Sequence, residues 1–306
     1  MKFGLDIGGT KIAGAVIEEG RTLAETRLPN PRGDYAGAVA NVAAVVDRLA
    51  EAVGARPARV GVCVSGNIDR ARGAIRLGTA WWLRDRPFRD DVAAATGAAV
   101  RMANDADCFA LSEATDGAGA RFRTVFGVIL GTGFGGGLIV DGRLVSGPVG
   151  VAGEVGHVPL PRASAEELAA GPCSCGRRGC VETLLAGPGL ARDHAQAQGL
   201  EPGLGPSAEE IVQAAARGDA QAAAALERYE ERLGRVLGMI VNMVEPEAVV
   251  FGGGLSNVER LWRNAGARMA DHVFGGRVET ALLRNVHGDS SGVRGAARLW
   301  DEEVHA

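Results

Sequence analysis

The apolar positions of this chain fall into two rhythms: short unbroken runs of the kind buried in sheets, and longer stretches with the 3.6-residue period of helices that face a core. Lys2–Ile7 is an apolar run, Gly8-Gly9 breaks it, Ile12–Ile17 resumes it and Glu19-Gly20 turns it again. That pattern predicts strand, glycine turn, strand, hairpin, strand. A helix over Tyr35–Val53, a buried strand at Val60–Val64 and a helix opening at Asn104-Asp105 follow. The second half predicts a helix near Gly187–Gln198, a long one over Asp219–Val244, a buried strand at Ala248–Phe251, a helix after Ser256 and a last helix from Ser291. Only Gly199–Pro206 reads as soft, and no Ser/Pro/Gly linker or charge run divides the chain.

The first strand pattern recurs. Phe3-Gly4-Leu5-Asp6-Ile7-Gly8-Gly9-Thr10 matches Phe126-Gly127-Val128-Ile129-Leu130-Gly131-Thr132-Gly133, with residue 3 on residue 126, an offset of 123. The same offset lays Gly14-Ala15-Val16-Ile17 on Gly137-Leu138-Ile139-Val140, and both copies then reach a hairpin, at Glu18-Glu19-Gly20 and at Asp141-Gly142. Any two glycine-rich hairpins look somewhat alike, but an offset that persists this far favours a duplicated β-β-β unit and two similar lobes. The copies differ in their polar residues: the first has Asp6 and Lys11 where the second has Ile129 and Phe134.

Composition narrows the function classes. At 306 residues, with 46% hydrophobic and 23% charged residues, the chain has the balance of a globular protein large enough for two domains. A net charge of −4 offers no basic footprint for nucleic acid. No run of 18 apolar residues occurs, and Met1–Asp6 lacks a signal-peptide core, so no membrane partner is expected and the cytoplasm is the expected compartment. Glycine, at 46 residues, far exceeds its usual share of about 7% and clusters after apolar runs.

A glycine turn after a strand exposes consecutive backbone N–H groups that can wrap anionic oxygens. Three occur here: Gly8-Gly9-Thr10-Lys11; Gly131 to Gly137, with Thr132, Gly133, Gly135 and Gly136; and Gly252-Gly253-Gly254. Gly131, Gly133 and Gly136 match the dinucleotide fingerprint in form, but a hairpin at Asp141-Gly142 follows where that motif needs a helix. No Gly-x4-Gly-Lys-Ser/Thr is present. The pattern therefore points to a nucleoside triphosphate held from both lobes. Asp6, which interrupts an apolar strand just before its turn, is placed to orient Mg²⁺ through water, or else to bond local backbone. Lys11 reads equally as a phosphate contact or a solvated strand residue. At Met102–Ala110 a strand passes into a helix, and one of Asn104 and Asp105 can cap it. The other is spare, and Asp105 suits the one protein group that phosphoryl transfer requires, an acceptor for the hydroxyl proton.

Three of the five cysteines lie between residues 173 and 180. Cys173-x-Cys175-x4-Cys180, with His157 upstream, supplies the four N/S ligands of a structural Zn²⁺ site. Glu154 and Glu182 bracket it. A zinc that clamps His157 to Cys180 would draw these carboxylates together as acceptors for sugar hydroxyls, shaping the sugar site without entering the chemistry.

Asp6-Ile7-Gly8-Gly9-Thr10-Lys11, Asn104-Asp105-Ala106, Glu154-Val155-Gly156-His157 and Cys173-Ser174-Cys175-Gly176-x2-Gly179-Cys180-Val181-Glu182 together resemble the repressor–open-reading-frame–kinase (ROK) sugar kinases, in order and nearly end to end. The resemblance implies an α/β, two-lobed actin-like (ribonuclease-H-like) ATPase fold, with an N-terminal lobe over 1–118 joined by a last helix over 291–306, and a C-terminal lobe over 119–290 carrying the zinc loop. It implies ATP with Mg²⁺, phosphate contacts at Asp6, Gly8, Gly9, Thr10, Lys11, Gly131, Thr132, Gly133, Gly135, Gly136, Gly253 and Gly254, and Asp105 as base on a sugar 6-hydroxyl. Gly66, Asn104, Asp105, Glu154, His157 and Glu182 would contact the sugar, zinc would sit on His157, Cys173, Cys175 and Cys180, and the assembly would be a homodimer.

Within that family, Leu28-Pro29-x-Pro31-Arg32-x-Asp34-Tyr35, Trp82-Leu83, Val273-Phe274-Gly275-Gly276 and His287–Ala297 are similar to bacterial fructokinases that also take mannose, so a fructokinase is expected. N-acetylglucosamine kinases share several of these segments, and they and the glucokinases stand as alternatives. Ser65-Gly66-Asn67 replaces the usual Pro-Gly, and Thr79 stands where the family usually offers an Asn. Some relatives are repressors with a helix-turn-helix ahead of the first glycine turn. That turn follows Asp6 here, so DNA binding is not expected, and Asp105 with the complete phosphate turns argues against a non-catalytic sugar sensor.

Overall fold

The computed structural model describes residues 1–201 and 203–301. The chain forms two compact units. One comprises Met1–Arg121, Gly137–Gly153 and the residues from Val286 on; the other comprises Phe122–Gly136 and Glu154–Asn285.

The first unit holds β1 (Lys2–Ile7), β2 (Lys11–Glu18), β3 (Arg21–Pro29), α1 (Tyr35–Val53), β4 (Arg59–Val64), the two-residue strands β5 (Ile68–Asp69) and β6 (Ala74–Ile75), α2 (Phe88–Thr96), β7 (Ala99–Asn104) and α3 (Asp105–Asp116). Its sheet runs β3-β2-β1-β4-β7, with β1 antiparallel to β2 and parallel to β4, and β4 parallel to β7. Leu5, Ile7, Ile12 and Val16 from the strands pack with Val42, Val45, Val46 and Leu49 from α1. α1 begins where Asp34 accepts the Gly37 amide and ends where Gly54 turns left-handed at φ 70°, so both boundaries follow from local chemistry.

The chain then runs through β8 (Thr124–Leu130), β9 (Phe134–Val140), β10 (Arg143–Leu144), α4 (Ala165–Leu168), α5 (Glu182–Leu185), α6 (Gly187–Ala197), α7 (Ala208–Ala216), α8 (Ala220–Val244), β11 (Ala248–Gly252), α9 (Glu259–Met269), β12 (Ala281–Arg284) and α10 (Ser291–Arg298). The second sheet has the order β10-β9-β8-β11-β12, rank for rank that of the first, and its β11 is parallel to both β8 and β12. Both hairpins turn on paired positive φ values, 49° and 79° at Glu19-Gly20, 51° and 73° at Asp141-Gly142, as hairpins of this twist require. The duplicated unit is thus visible in the topology, with a third strand cut to two residues in the second copy.

α8 buries a stripe including Leu226, Tyr229, Leu233, Val236, Leu237 and Ile240. On the same helix Arg232 and Arg235 reach Glu167 at 2.8 and 2.7 Å, and Arg232 reaches Asp193 at 2.7 Å. Burial alone would raise the Glu167 carboxyl, but hydrogen bonds from Arg235 and Arg232 outweigh it and hold the group at about 2.

Three expectations need correction. The last helix ends at Arg298 rather than running to 306, and residues 302–306 lie outside the described ones. The glycine turn of the second copy is shorter than Gly131 to Gly137, because β9 begins at Phe134, so Gly135 and Gly136 are strand residues. α7 follows the soft stretch without having been foreseen, although Ser207 and Glu210 form a capping box at its start.

Candidate active site

In the first unit, β1, β4 and β7 run parallel, with Ile7 opposite Val64 and Val64 opposite Asn104. Ligands of open parallel sheets gather beyond the carboxyl ends of such strands, and here those ends lead into the Gly8 turn and into Asn104-Asp105. The Gly8 amide is spent on the Lys11 carbonyl at 2.9 Å, so the part Gly8 plays is to close the turn. Asn30, buried and unsuspected from sequence, clamps the same turn: its Nδ2 donates to the Gly8 carbonyl at 2.7 Å and its backbone amide to the Thr10 carbonyl at 2.9 Å. Thr10 and Lys11 are exposed. Burial pushes the Asp6 carboxyl up, against a hydrogen bond from the Cys63 thiol and the charge of Lys11; a divalent cation beside it would favour the anion.

Asn104 is the cap of α3. Its Oδ1 accepts the Asp107 amide at 2.6 Å and the residue is 6% exposed. Asp105, at the first helical position, accepts the Ala106 amide at 3.0 Å and is exposed. Asp107, three residues past the cap, is buried.

In the second unit, Gly131, Thr132 and Gly133 form the turn between β8 and β9, closed by the Gly131 amide on the Gly133 carbonyl at 3.0 Å. Gly253, at φ 80°, and Gly254 form an exposed turn after β11. A Cβ on Gly253 would stand 2.4 Å from the Leu130 carbonyl oxygen, so only glycine brings the two strand ends this close.

The cysteine loop brings His157, Cys173 and Cys175 together, while Cys180 lies outside that group of three. His157 comes from a short 3₁₀ turn, Val155–His157, and a bridge between Pro159 and Cys180 ties that turn to the loop. His157 Nδ1 lies 3.3 Å from Cys173 Sγ, and Cys175 Sγ lies 3.7 Å from Cys180 Sγ. The donor atoms of His157, Cys173 and Cys175 all fall within 4.8 Å of one another. Zn–S bonds of about 2.3 Å in a tetrahedron put sulfurs roughly 3.8 Å apart, a spacing that the Cys175–Cys180 pair matches. His157 Nε2, on the far side of the ring, lies 3.9 Å from Glu154 Oε2.

Glu182 joins this loop to the glycine turn. Its Oε1 accepts from Ser174 Oγ at 3.2 Å and stands 3.8 Å from Cys173 Sγ, while its Oε2 accepts the Phe134 amide at 3.3 Å. Ser174, hidden inside the cysteine motif, carries no signal of its own in the sequence.

The model of the ROK family matches residues 2–303. The chain belongs to the ROK family. The N-acetyl-D-glucosamine kinase of Erwinia tasmaniensis is 39% identical over 305 residues, covering 98% of this chain and 99% of that protein. Among solved ROK structures, a hexokinase from Thermus thermophilus is 31% identical at a TM-score of 0.86, covering 97% of each chain. A ROK glucokinase from Streptomyces griseus, solved with glucose and AMPPNP, is 31% identical at a TM-score of 0.77 and covers 97% of this chain and 98% of that one. The fold is therefore the actin-like, ribonuclease-H-like ROK fold, and the enzyme class is that of the sugar kinases. No helix among the described residues is long and apolar enough to cross a membrane.

Proposed function

We propose that the chain is an ATP-dependent N-acetyl-D-glucosamine kinase that phosphorylates the sugar 6-hydroxyl. The observation that carries this reading is 39% identity to an N-acetyl-D-glucosamine kinase along essentially the whole of both chains, against 31% to the hexokinase and the glucokinase. Fructose, expected from the shared segments, has no such support and gives way to the acetamido sugar.

In this reading Asp105 accepts the 6-hydroxyl proton as the phosphoryl group departs from ATP. The group sits at a helix N-terminus, and a loose transition state releases the proton late enough for a weak base to suffice. Mg²⁺, placed through water by Asp6, would neutralise charge on the β- and γ-phosphate oxygens. Gly9, Thr10, Lys11, Thr132, Gly133, Gly253 and Gly254 would hold phosphate oxygens. Glu154, His157 and Glu182 would accept sugar hydroxyls, with zinc on His157, Cys173, Cys175 and Cys180 fixing their geometry. Gly66 and Asn104 complete the proposed sugar contacts, and a homodimer remains the proposed assembly.

ADP release measured with N-acetylglucosamine, N-acetylmannosamine, glucose, mannose and fructose tests the assignment. The highest kcat/KM is expected for N-acetylglucosamine; a clear preference for fructose or glucose would replace the substrate while keeping the reaction.

A further inference from the structure

Beyond the row formed by Ile7, Val64 and Asn104, the next residue along each strand is Gly8, Ser65 and Asp105. Ser65 thus emerges between the proposed phosphate turn and the proposed base, the place where an acceptor hydroxyl must lie for phosphoryl transfer. Its side chain is not left to rotate freely. The loop that leaves at Gly66 returns at Thr79, and Ser65 Oγ lies 2.8 Å from Thr79 Oγ1. The neck of that loop is closed at backbone distance: Gly66 has φ 107°, and a Cβ there would meet the Leu77 carbonyl oxygen at 1.6 Å. Thr79 Oγ1 in turn stands 3.5 Å from where a Cβ on Gly9 would be, which puts the hydroxyl pair against the phosphate turn.

We infer that Ser65 contacts the acceptor sugar and helps select it, with Thr79 as its positioning residue; the inference rests on the kinase reading above. Two hydroxyls that share one hydrogen retain one O–H to donate and lone pairs to accept. That matches a ring hydroxyl of a pyranose, which both donates and accepts. It matches phosphate oxygens poorly, since these favour the amides and the cation of the Gly8–Lys11 turn.

Steady-state kinetics of Ser65→Ala, Thr79→Val, their double variant and the conservative Thr79→Ser tests this, with N-acetylglucosamine and its 3-deoxy and 4-deoxy analogues. Losing one ligand hydrogen bond predicts a KM for the sugar raised about tenfold in Ser65→Ala, with the KM for ATP within about twofold of wild type. Thr79→Val should give a smaller rise and add nothing to Ser65→Ala, and Thr79→Ser should restore the wild-type value. One deoxy analogue should bind wild type and Ser65→Ala equally. Unchanged sugar KM, a rise in the ATP KM instead, or the same loss with every analogue would each overturn the role of Ser65. If wild type ignores N-acetylglucosamine but phosphorylates another hexose, the substrate assignment fails by itself, and deoxy forms of that hexose then decide on Ser65 by the same criteria.

Discussion

Asn104 holds the N-terminus of α3 through the Asp107 amide, and the exposed Asp105 beside it accepts the Ala106 amide, so its carboxylate is anchored to the helix start while still meeting solvent. Asp105→Asn keeps the size of the side chain and leaves the cap intact, so the melting temperature should not change while kcat falls by about 10²–10⁴. Equal turnover in wild type and variant would remove Asp105 from the base role. Asp105 and the cysteine cluster were legible in the sequence because each announces itself in a few neighbouring residues. Asn30 was not, since its partner Gly8 lies 22 residues away and only the folded turn brings them together. The glycine pattern offers the Gly8 amide to phosphate, but in the folded turn that amide is bonded to the Lys11 carbonyl.

At the scale of elements, α10 packs so closely on β4 and α3 that only glycine fits the contacts. A Cβ on Gly61 would stand 1.7 Å from the Ala296 carbonyl oxygen, and one on Gly295 would stand 1.8 Å from that of Cys108. Gly295→Ala should therefore destabilise the protein by about 1–3 kcal/mol through overpacking, seen as a lower melting temperature; an unchanged melt would mean that α10 can back away freely. Helix ends with strong caps, at Asp34 and Gly54 around α1 and at Asp219 before α8, were readable from sequence. The four-residue, half-buried β12 was not, because it is too short for a period to show. The cysteine loop is also an element with a testable task. Cys175→Ser should lower bound zinc from the one ion per chain expected of wild type in elemental analysis, and raise the KM for sugar far more than that for ATP. A folded, zinc-free variant with normal sugar affinity would separate Glu182 from the metal.

Over the whole molecule, three separated stretches build the first unit: residues 1–121, residues 137–153 and the chain from Val286 on. No local pattern tells a reader that α10 belongs with β1, β4 and α3, which it contacts extensively; that is settled only by packing. A fragment of residues 1–121 lacks α10 over Gly4 and Gly61 and should show no cooperative thermal transition, whereas a sharp melt of that fragment would mean that the strands and α1 suffice. The close fit of Gly61 and Gly295 also has a consequence for biosynthesis. The strands, complete by Asn104, leave the ribosome well before the helix that seals them, which begins only at Ser291. At roughly 5–20 residues per second the wait is on the order of ten seconds or longer, during which the nascent sheet is uncovered on one side. Expression temperature and chaperone supply should thus govern the yield of this enzyme more than its final stability does.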